Sequence, residues 1–436
     1  MAHAGTALSP EAVLRAAAAL AAAVAVVLVF VRFPTVGIAA LVGGQAWQVA
    51  LRGQVPVVDA GITLYPLDVL TVCAALAAAV SLVRRPVRPH LGHAALVLLA
   101  LLVFASLVRG VSGYGVQPAG NEARVYFLHV LGAAGYAATV RPDVDLDRTL
   151  HRVWTVLACF YGVVAILWWS RVGIGSNSDY VLIAGQRVNS RPVDAASAFV
   201  IAQAAVMLLC RRHRTRVTGW LVGPLLLLVV LLQHRTVWLA ALVMIAGWLL
   251  FRPGHGSRKA AGIGAAVLLA ATAALAGSFA PDAGLTRSLA SSATNEDTMA
   301  WRVASWRLLV DRPQGLHDWL FGLPFGSGFT RLLYGRVVEE QPHNYYLHLL
   351  LRVGLVGLIA AVALVVAMLL RTDHRSPNGL LRWLATAGIA CFCLTYALPF
   401  EQSLLIGLLL RPPDASPTEH RPASAGVPAL LAPAAR

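Results

Sequence analysis

The sequence predicts an all-α integral membrane protein of about 11–12 transmembrane helices, with one large external loop containing a short amphipathic helix. Three observations carry this. Of 436 residues, 58% are hydrophobic and 13% charged, and the mean hydropathy is +0.70, whereas a soluble domain carries about 25% charged residues. Apolar runs recur at the roughly 20-residue length that a helix needs to cross a hydrocarbon core. The Lys and Arg residues, in excess by +15, gather in short turns between those runs.

In chain order, the strong spans are roughly 12–31, 62–83, 91–108, 123–140, 150–169, 193–210, 217–233, 236–251, 260–278, 344–370 and 381–398. The first is too long for a signal peptide and is followed by further spans, so it reads as a membrane helix or signal anchor. A weaker segment, 35–50, carries Gly43, Gly44, Gln45 and Gln48 and reads as interfacial or re-entrant. Near the end, Pro399, Phe400 and Glu401 interrupt the last apolar run, and Gln402 to Leu410 is too short for a full crossing.

Sidedness follows from the basic residues. Arg84, Arg85 and Arg88, then Arg211, Arg212, Arg214 and Arg216, then Arg252, Arg258 and Lys259, then Arg371, Arg375 and Arg382 form four turn clusters. Placing them in the cytoplasm makes the intervening turns alternate and puts residues 279–342 outside. That segment holds six Arg against seven Asp and Glu, near neutral in a strongly basic chain. The positive charge is therefore topological and calls for no nucleic-acid partner. Four regions result: transmembrane 1–278, external loop 279–342, C-terminal transmembrane helices 343–410, and a tail 411–436 whose Pro, Ala and Ser content predicts a disordered cytoplasmic segment.

Cys73, Cys159, Cys210, Cys391 and Cys393 lie in or at the ends of apolar runs and form no disulfide or metal pattern. Inside the external loop, Thr294 and Asp297 have capping-box spacing, and Met299, Val303, Trp306 and Val310 recur at helical spacing until Pro313. This predicts a short amphipathic helix on the membrane surface. A Gly-rich turn, Leu320 to Phe329, and Gln341-Pro-His-Asn-Tyr-Tyr346 follow.

Ionisable residues at a bilayer rim are expensive and are candidate sites for that reason. Arg235, in the abrupt step Gln233-His234-Arg235-Thr236, either snorkels to lipid headgroups or binds an anion. Arg302 lies one turn before Trp306, beside the apolar face of the loop helix, and either pairs with Glu296 or Asp297 or points at the protein body. His343, at the loop's return to the membrane with Asn344 next to it, is either a helix-start hydrogen bonder or a general base. Glu339 and Glu340 precede it and are placed to orient or charge its ring. Arg187 and Arg191, before the span at 193, are further anion-binding candidates. Asp143-Val-Asp145-Leu-Asp147 falls on the cytoplasmic side and reads as a solvated turn. Gly322, Gly326 and Gly328 are not a nucleotide loop, since no Gly-Lys-Ser/Thr follows. Asp68, inside the second strong span, reads as a buried polar contact without an assigned role.

The order of His234-Arg235-Thr236, Trp301-Arg302-Val-Ala-Ser-Trp306, Leu320 to Phe329, and Gln341-Pro-His-Asn-Tyr-Tyr-Leu347 leading into Arg352-Val-Gly354 resembles the O-antigen ligase and polymerase superfamily of bacterial membrane proteins. The resemblance covers about 233–358, and the first 190 residues match only in hydropathy. It implies transfer of a glycan from a polyprenyl diphosphate carrier to a hydroxyl acceptor on a glycan, lipid or protein, at the outer face of the cytoplasmic membrane. By the same resemblance, Arg235 and Arg302, with Arg187 and Arg191, bind the diphosphate, and His343 acts on the acceptor, with His234, Asn344, Glu339 and Glu340 in support. No metal or other cofactor is implied. His234 stands where the family usually has Ser. The competing class is a transporter of polysaccharide or lipid-linked sugar, which would place its ionisable residues near the midplane on broken helices rather than on one outer rim. A single Lys against 34 Arg suggests a GC-rich genome and, with it, a cell-envelope polysaccharide rather than a lipopolysaccharide acceptor.

Overall fold

The computed structural model describes residues 10–51, 58–59, 63–85, 90–140, 146–173, 180–183, 186–189, 191–210, 216–251, 297–372 and 375–411. The expected span 260–278, the acidic turn from Asp143 to Asp145, Thr294 and the tail from 412 onward lie outside the described residues.

The N-terminal helices α1 (Pro10–Arg32) and α2 (Pro34–Leu51) meet at 120°. Pro34 begins the second because its fixed φ suits a first helical turn, while it could not continue the first. The corner is held by the Tyr136 hydroxyl, which donates at 3.0 Å to the Phe30 carbonyl or at 3.2 Å to that of Pro34. The bend fits the interfacial or re-entrant reading of 35–50. A two-residue hairpin, β1 (Val58–Asp59) with β2 (Thr63–Leu64), precedes α3 (Pro66–Arg84).

Next come α4 (Leu91–Tyr114), α5 (Val116–Ala123), a π-helical turn at Arg124–Leu128, and α6 (His129–Thr139). The expected straight span 123–140 is thus entered through a short helix and a π-turn. After α7 (Leu146–Val172), the antiparallel strands β3 (Tyr180–Ile183) and β4 (Gln186–Asn189) lead to α8 (Ala195–Cys210), α9 (Arg216–Leu231) and α10 (Arg235–Phe251). The loop contributes α11 (Asp297–Val310), α12 (Gly315–Phe321) and the hairpin β5 (Arg331–Leu333) with β6 (Arg336–Val338). The chain closes with α13 (Tyr345–Leu370), α14 (Pro377–Phe392) and α15 (Phe400–Leu409).

Among the described residues, α3, α4, α7 and α13 are each long and apolar enough to cross a bilayer, and the bent α1–α2 pair qualifies if counted as one span. The shorter apolar helices α8, α9, α10 and α15 fill the bundle between them. The core runs to alanine, as on α6 and α8, where small side chains let helix backbones approach closely. Buried polar residues lock α15 in place: Gln402 and Gln203 exchange amide hydrogen bonds at 2.8 Å, the Trp154 indole donates to Gln203 at 2.9 Å, and the Tyr161 hydroxyl donates to Glu401 at 2.8 Å.

Three expectations are corrected. The span drawn to 398 stops as a helix at Phe392, and the stretch from there to Pro399 instead offers the Cys393 and Tyr396 carbonyls to the Tyr345 amide at the start of α13. The span 344–370 is kinked at Gly354, whose φ of +68° is left-handed. A side chain there would collide with the Leu320 carbonyl, so glycine lets the kinked helix seat the end of α12. On α11, Met299 is exposed and the buried residues are Ser305 and Leu309, so its inner face is rotated from the Met299–Val303–Trp306–Val310 stripe. The rotation is set by a polar contact, Arg331 to Ser305.

Candidate functional site

The break between α9 and α10 is abrupt because Gln233 adopts φ +57°, a conformation costly for a residue with a side chain. The helix breaks at Leu232–His234, and α10 starts at Arg235. His234 is fully buried in this break. Its Nε2 donates to the Val193 carbonyl at 3.2 Å, which leaves Nδ1 to accept from the Arg191 guanidinium, also at 3.2 Å. Burial, reinforced by the Arg191 charge, pushes this imidazole down to about 3, so it is neutral at physiological pH. Arg191 is thereby tied to the break, and Arg235 lies within electrostatic range of both Arg191 and Arg302. Three guanidinium groups from distant parts of the chain form one positive focus.

Arg302 reaches that focus from α11. Its guanidinium sits 5.2 Å from the centre of the Tyr396 ring and donates to the Thr395 carbonyl at 3.4 Å. Of the two readings of Arg302, the structure favours the one in which it points at the protein body. Thr395 also hydrogen-bonds through its hydroxyl to Thr236, next to Arg235. On the other side, the His343 ring lies 6.0 Å from the Tyr396 ring. The seven residues between α14 and α15 are therefore the floor of the site, and Thr395 and Tyr396 were not singled out from the sequence. The usable signal was Pro399 near the end of an apolar run that also contains a threonine and a tyrosine.

His343 is half-buried and lowered from its ordinary value of 6.5, first by burial and then by Arg302, with Glu340 pulling the other way and Arg331 adding to the depression. A neutral imidazole near physiological pH can accept a proton. The helix-start role belongs instead to Asn344, whose side chain accepts from the Leu347 amide at 3.0 Å and caps α13. Glu340 is exposed and acts on His343 through charge, while exposed Glu339 makes no hydrogen bond to it. Arg187 pairs across the β3–β4 hairpin with Leu182, and its side chain lies outside the described residues.

The loop is stapled so that these groups face one another. Arg331 donates to Ser305 on α11 at 2.7 Å, to the Phe329 carbonyl at 2.8 Å and to the Glu340 carbonyl at 2.7 Å, three residues before His343. The Gly-rich turn is held from beneath by a buried Glu122–Arg352 ion pair. Glu122 accepts the Gly326 and Gly328 amides at 2.8 and 3.2 Å, and Arg352 donates to Ser327 at 2.9 Å and to the Gly328 carbonyl at 2.7 Å. Arg352 and the glycines thus shape the loop. Among the described residues, no three His, Cys, Asp or Glu side chains converge as a metal site.

Residues 220–362, about a third of the chain, match the family model described as O-antigen ligase. The match runs from α9 to the middle of α13 and takes in Arg235, Arg302, His343 and Arg352, while Arg191, Glu122 and the 393–399 floor lie beyond it. No curated protein matches the chain. Its apolar helices make this a multi-pass membrane protein, and its residues 220–362 are similar to the O-antigen ligase family.

Proposed function

We propose that this protein transfers a glycan from a polyprenyl diphosphate carrier to a hydroxyl acceptor on the outer side of the cytoplasmic membrane. The observation that carries the reading is the convergence of Arg302 and His343 on Tyr396, with Arg235 and Arg191 beside them. An arginine cluster suits a diphosphate because each guanidinium presents a planar fork of donors to phosphate oxygens. In the reaction, the bond from the sugar anomeric carbon to the diphosphate oxygen breaks, and its electron pair leaves with the lipid diphosphate. The acceptor oxygen forms the new glycosidic bond, and its proton passes to His343. Arg235, Arg302, Arg191 and Arg187 stabilise the charge that grows on the leaving group, a role that needs no divalent cation. His234 orients Arg191, and Asn344 and Glu340 set the position and charge of His343.

The experiment is transfer in proteoliposomes from a fluorescent polyprenyl diphosphate oligosaccharide to a glycan acceptor, with chelator present. The reading expects a new glycosidic bond with the wild-type protein and none with His343→Ala at equal folded amount. Movement of the lipid-linked sugar across the bilayer without bond formation would instead identify a transporter.

A further inference from the structure

We propose that the cavity between α3, α4, α5 and α6 seats the acceptor, and that it takes a neutral lipid with a hydroxyl-rich sugar head. This rests on the glycan-transfer reading above and adds the chemical class of the second substrate. The cavity has a volume of about 550 Å³. One end is polar, lined by Asp68, His129, Arg124, Asn121 and Gln117, and the rest is apolar, with Val72, Ala100, Val103, Phe104 and Leu131.

The polar end is built. Asp68 and His129 are 2.6 Å apart, with side chains only 9% and 7% exposed. Asp68 also accepts the Tyr65 amide at 2.8 Å, and Arg124 reaches it at 3.5 Å while donating to the Thr63 carbonyl at 3.0 Å and stacking 4.7 Å from the Tyr65 ring. Such a group is costly to bury among apolar helices, and hydrophobic residues of similar size would pack there at less cost. The arginine cluster at Tyr396 does not use it.

Charge decides what kind of head fits. Arg235 stands among positive neighbours, so that region suits a diphosphate. At the cavity, the Asp68 carboxylate lies against both Arg124 and His129, and Gln117 and Asn121 add carboxamides. Alternating donors and acceptors with little net charge match sugar hydroxyls better than phosphate. The cavity also opens sideways, since Val72, Phe104 and Leu128 on its rim are 59%, 65% and 38% exposed. A lipid tail can therefore enter from the bilayer while its head reaches Asp68 and His129.

The π-turn joins this cavity to the transfer site. Arg124 and Leu128 line the cavity, whereas the Phe127 ring lies against α13 at Tyr345 and His348, and the Tyr126 carbonyl accepts from the Tyr345 hydroxyl at 3.1 Å. Tyr345 is two residues from His343. A sugar head seated at Asp68 and His129 can extend over this turn toward the base. Local π geometry is often found where backbone is reshaped for a site.

The test is lipid retention by the full-length protein in nanodiscs, read by native mass spectrometry, with diglucosyl diacylglycerol and phosphatidylglycerol as probes. The variants are Gln117→Ala with Asn121→Ala, both at exposed positions, and Arg302→Ala. We expect selective retention of the diglucosyl lipid, weakened roughly tenfold in the double variant by the loss of two hydrogen-bonding groups and unchanged in Arg302→Ala. Equal retention of phosphatidylglycerol, undiminished glycolipid binding in the double variant, or equal weakening in Arg302→Ala would each overturn the proposal. Because the readout is binding, failure of glycan transfer leaves it interpretable, and failure here leaves the transfer reading standing.

Discussion

Replacing Arg302 separates a chemical role from a structural one. In the folded protein its interactions are modest: a contact to the Tyr396 ring at 5.2 Å and a long hydrogen bond to Thr395 at 3.4 Å. A cation–π contact contributes about 0.5–1 kcal/mol, and the hydrogen bond from the charged guanidinium, stretched to near the length limit, adds less than ~1 kcal/mol. Arg302→Ala should therefore cost roughly 1 kcal/mol of stability and leave most of the protein folded. Removing a positive donor aimed at charge that develops in a low-dielectric site costs about 3–4 kcal/mol in the transition state, on the order of 10²–10³ in rate. The two sizes are far enough apart to be told apart. The assay is initial transfer rate per folded protein in nanodiscs, beside thermal unfolding of the same sample. Arg302→Lys retains the charge but loses the planar fork and should fall between wild type and Ala. An Arg302→Ala rate within about threefold of wild type, below ~1 kcal/mol by the rate relation, would refute the argument.

Three further outcomes follow from particular contacts. In the proposed reaction His343 would accept a proton only when neutral, and burial and Arg302 hold it below its ordinary value of 6.5. The transfer rate should therefore be level from neutral pH upward and fall only below that value, and Arg302→Gln, by removing a positive neighbour, should move the acid limb to higher pH in a rate–pH profile. Glu122→Gln leaves Arg352 buried without a charge partner, which costs about 3–5 kcal/mol and should appear as a large drop in thermal midpoint with release of the Gly-rich turn. Gly354→Ala combines a left-handed φ with a collision at the Leu320 carbonyl. It should destabilise by more than ~1–3 kcal/mol, whereas Gly219→Ala, which meets no neighbour, should be close to neutral by the same measurement.

Hydropathy alone made the membrane class legible, since apolar runs of bilayer length have no other stable setting. It also located Arg235, because a charge between two apolar runs must lie at a rim, and Arg302, because one turn of helix relates it to Trp306. The segment 35–50 stood apart through its glycines and glutamines, whereas the bend itself falls at Pro34, before them. His343 stood out through its place at the loop's return; of the neighbours read as its support, Asn344 acts by capping α13 and Glu339 is exposed.

What the sequence by itself determined was a set of apolar helices, their sidedness as an expectation, and a short list of charged rim residues, since all three depend on local composition. Only tertiary structure decided which of those residues meet. Arg191 and His234 touch across 43 positions of chain, and Arg302 meets Thr395 across 93. Hydropathy drew the last strong span to 398, while the chain leaves the helix at Phe392 to make Thr395 and Tyr396 the floor between arginine and histidine. Asp68 read as a buried polar residue with no role, and its partners His129 and Arg124 appear only when α3 packs against α6. Long-range pairing of polar groups leaves no periodic trace along a chain; the cost of burying them unpaired is met in three dimensions.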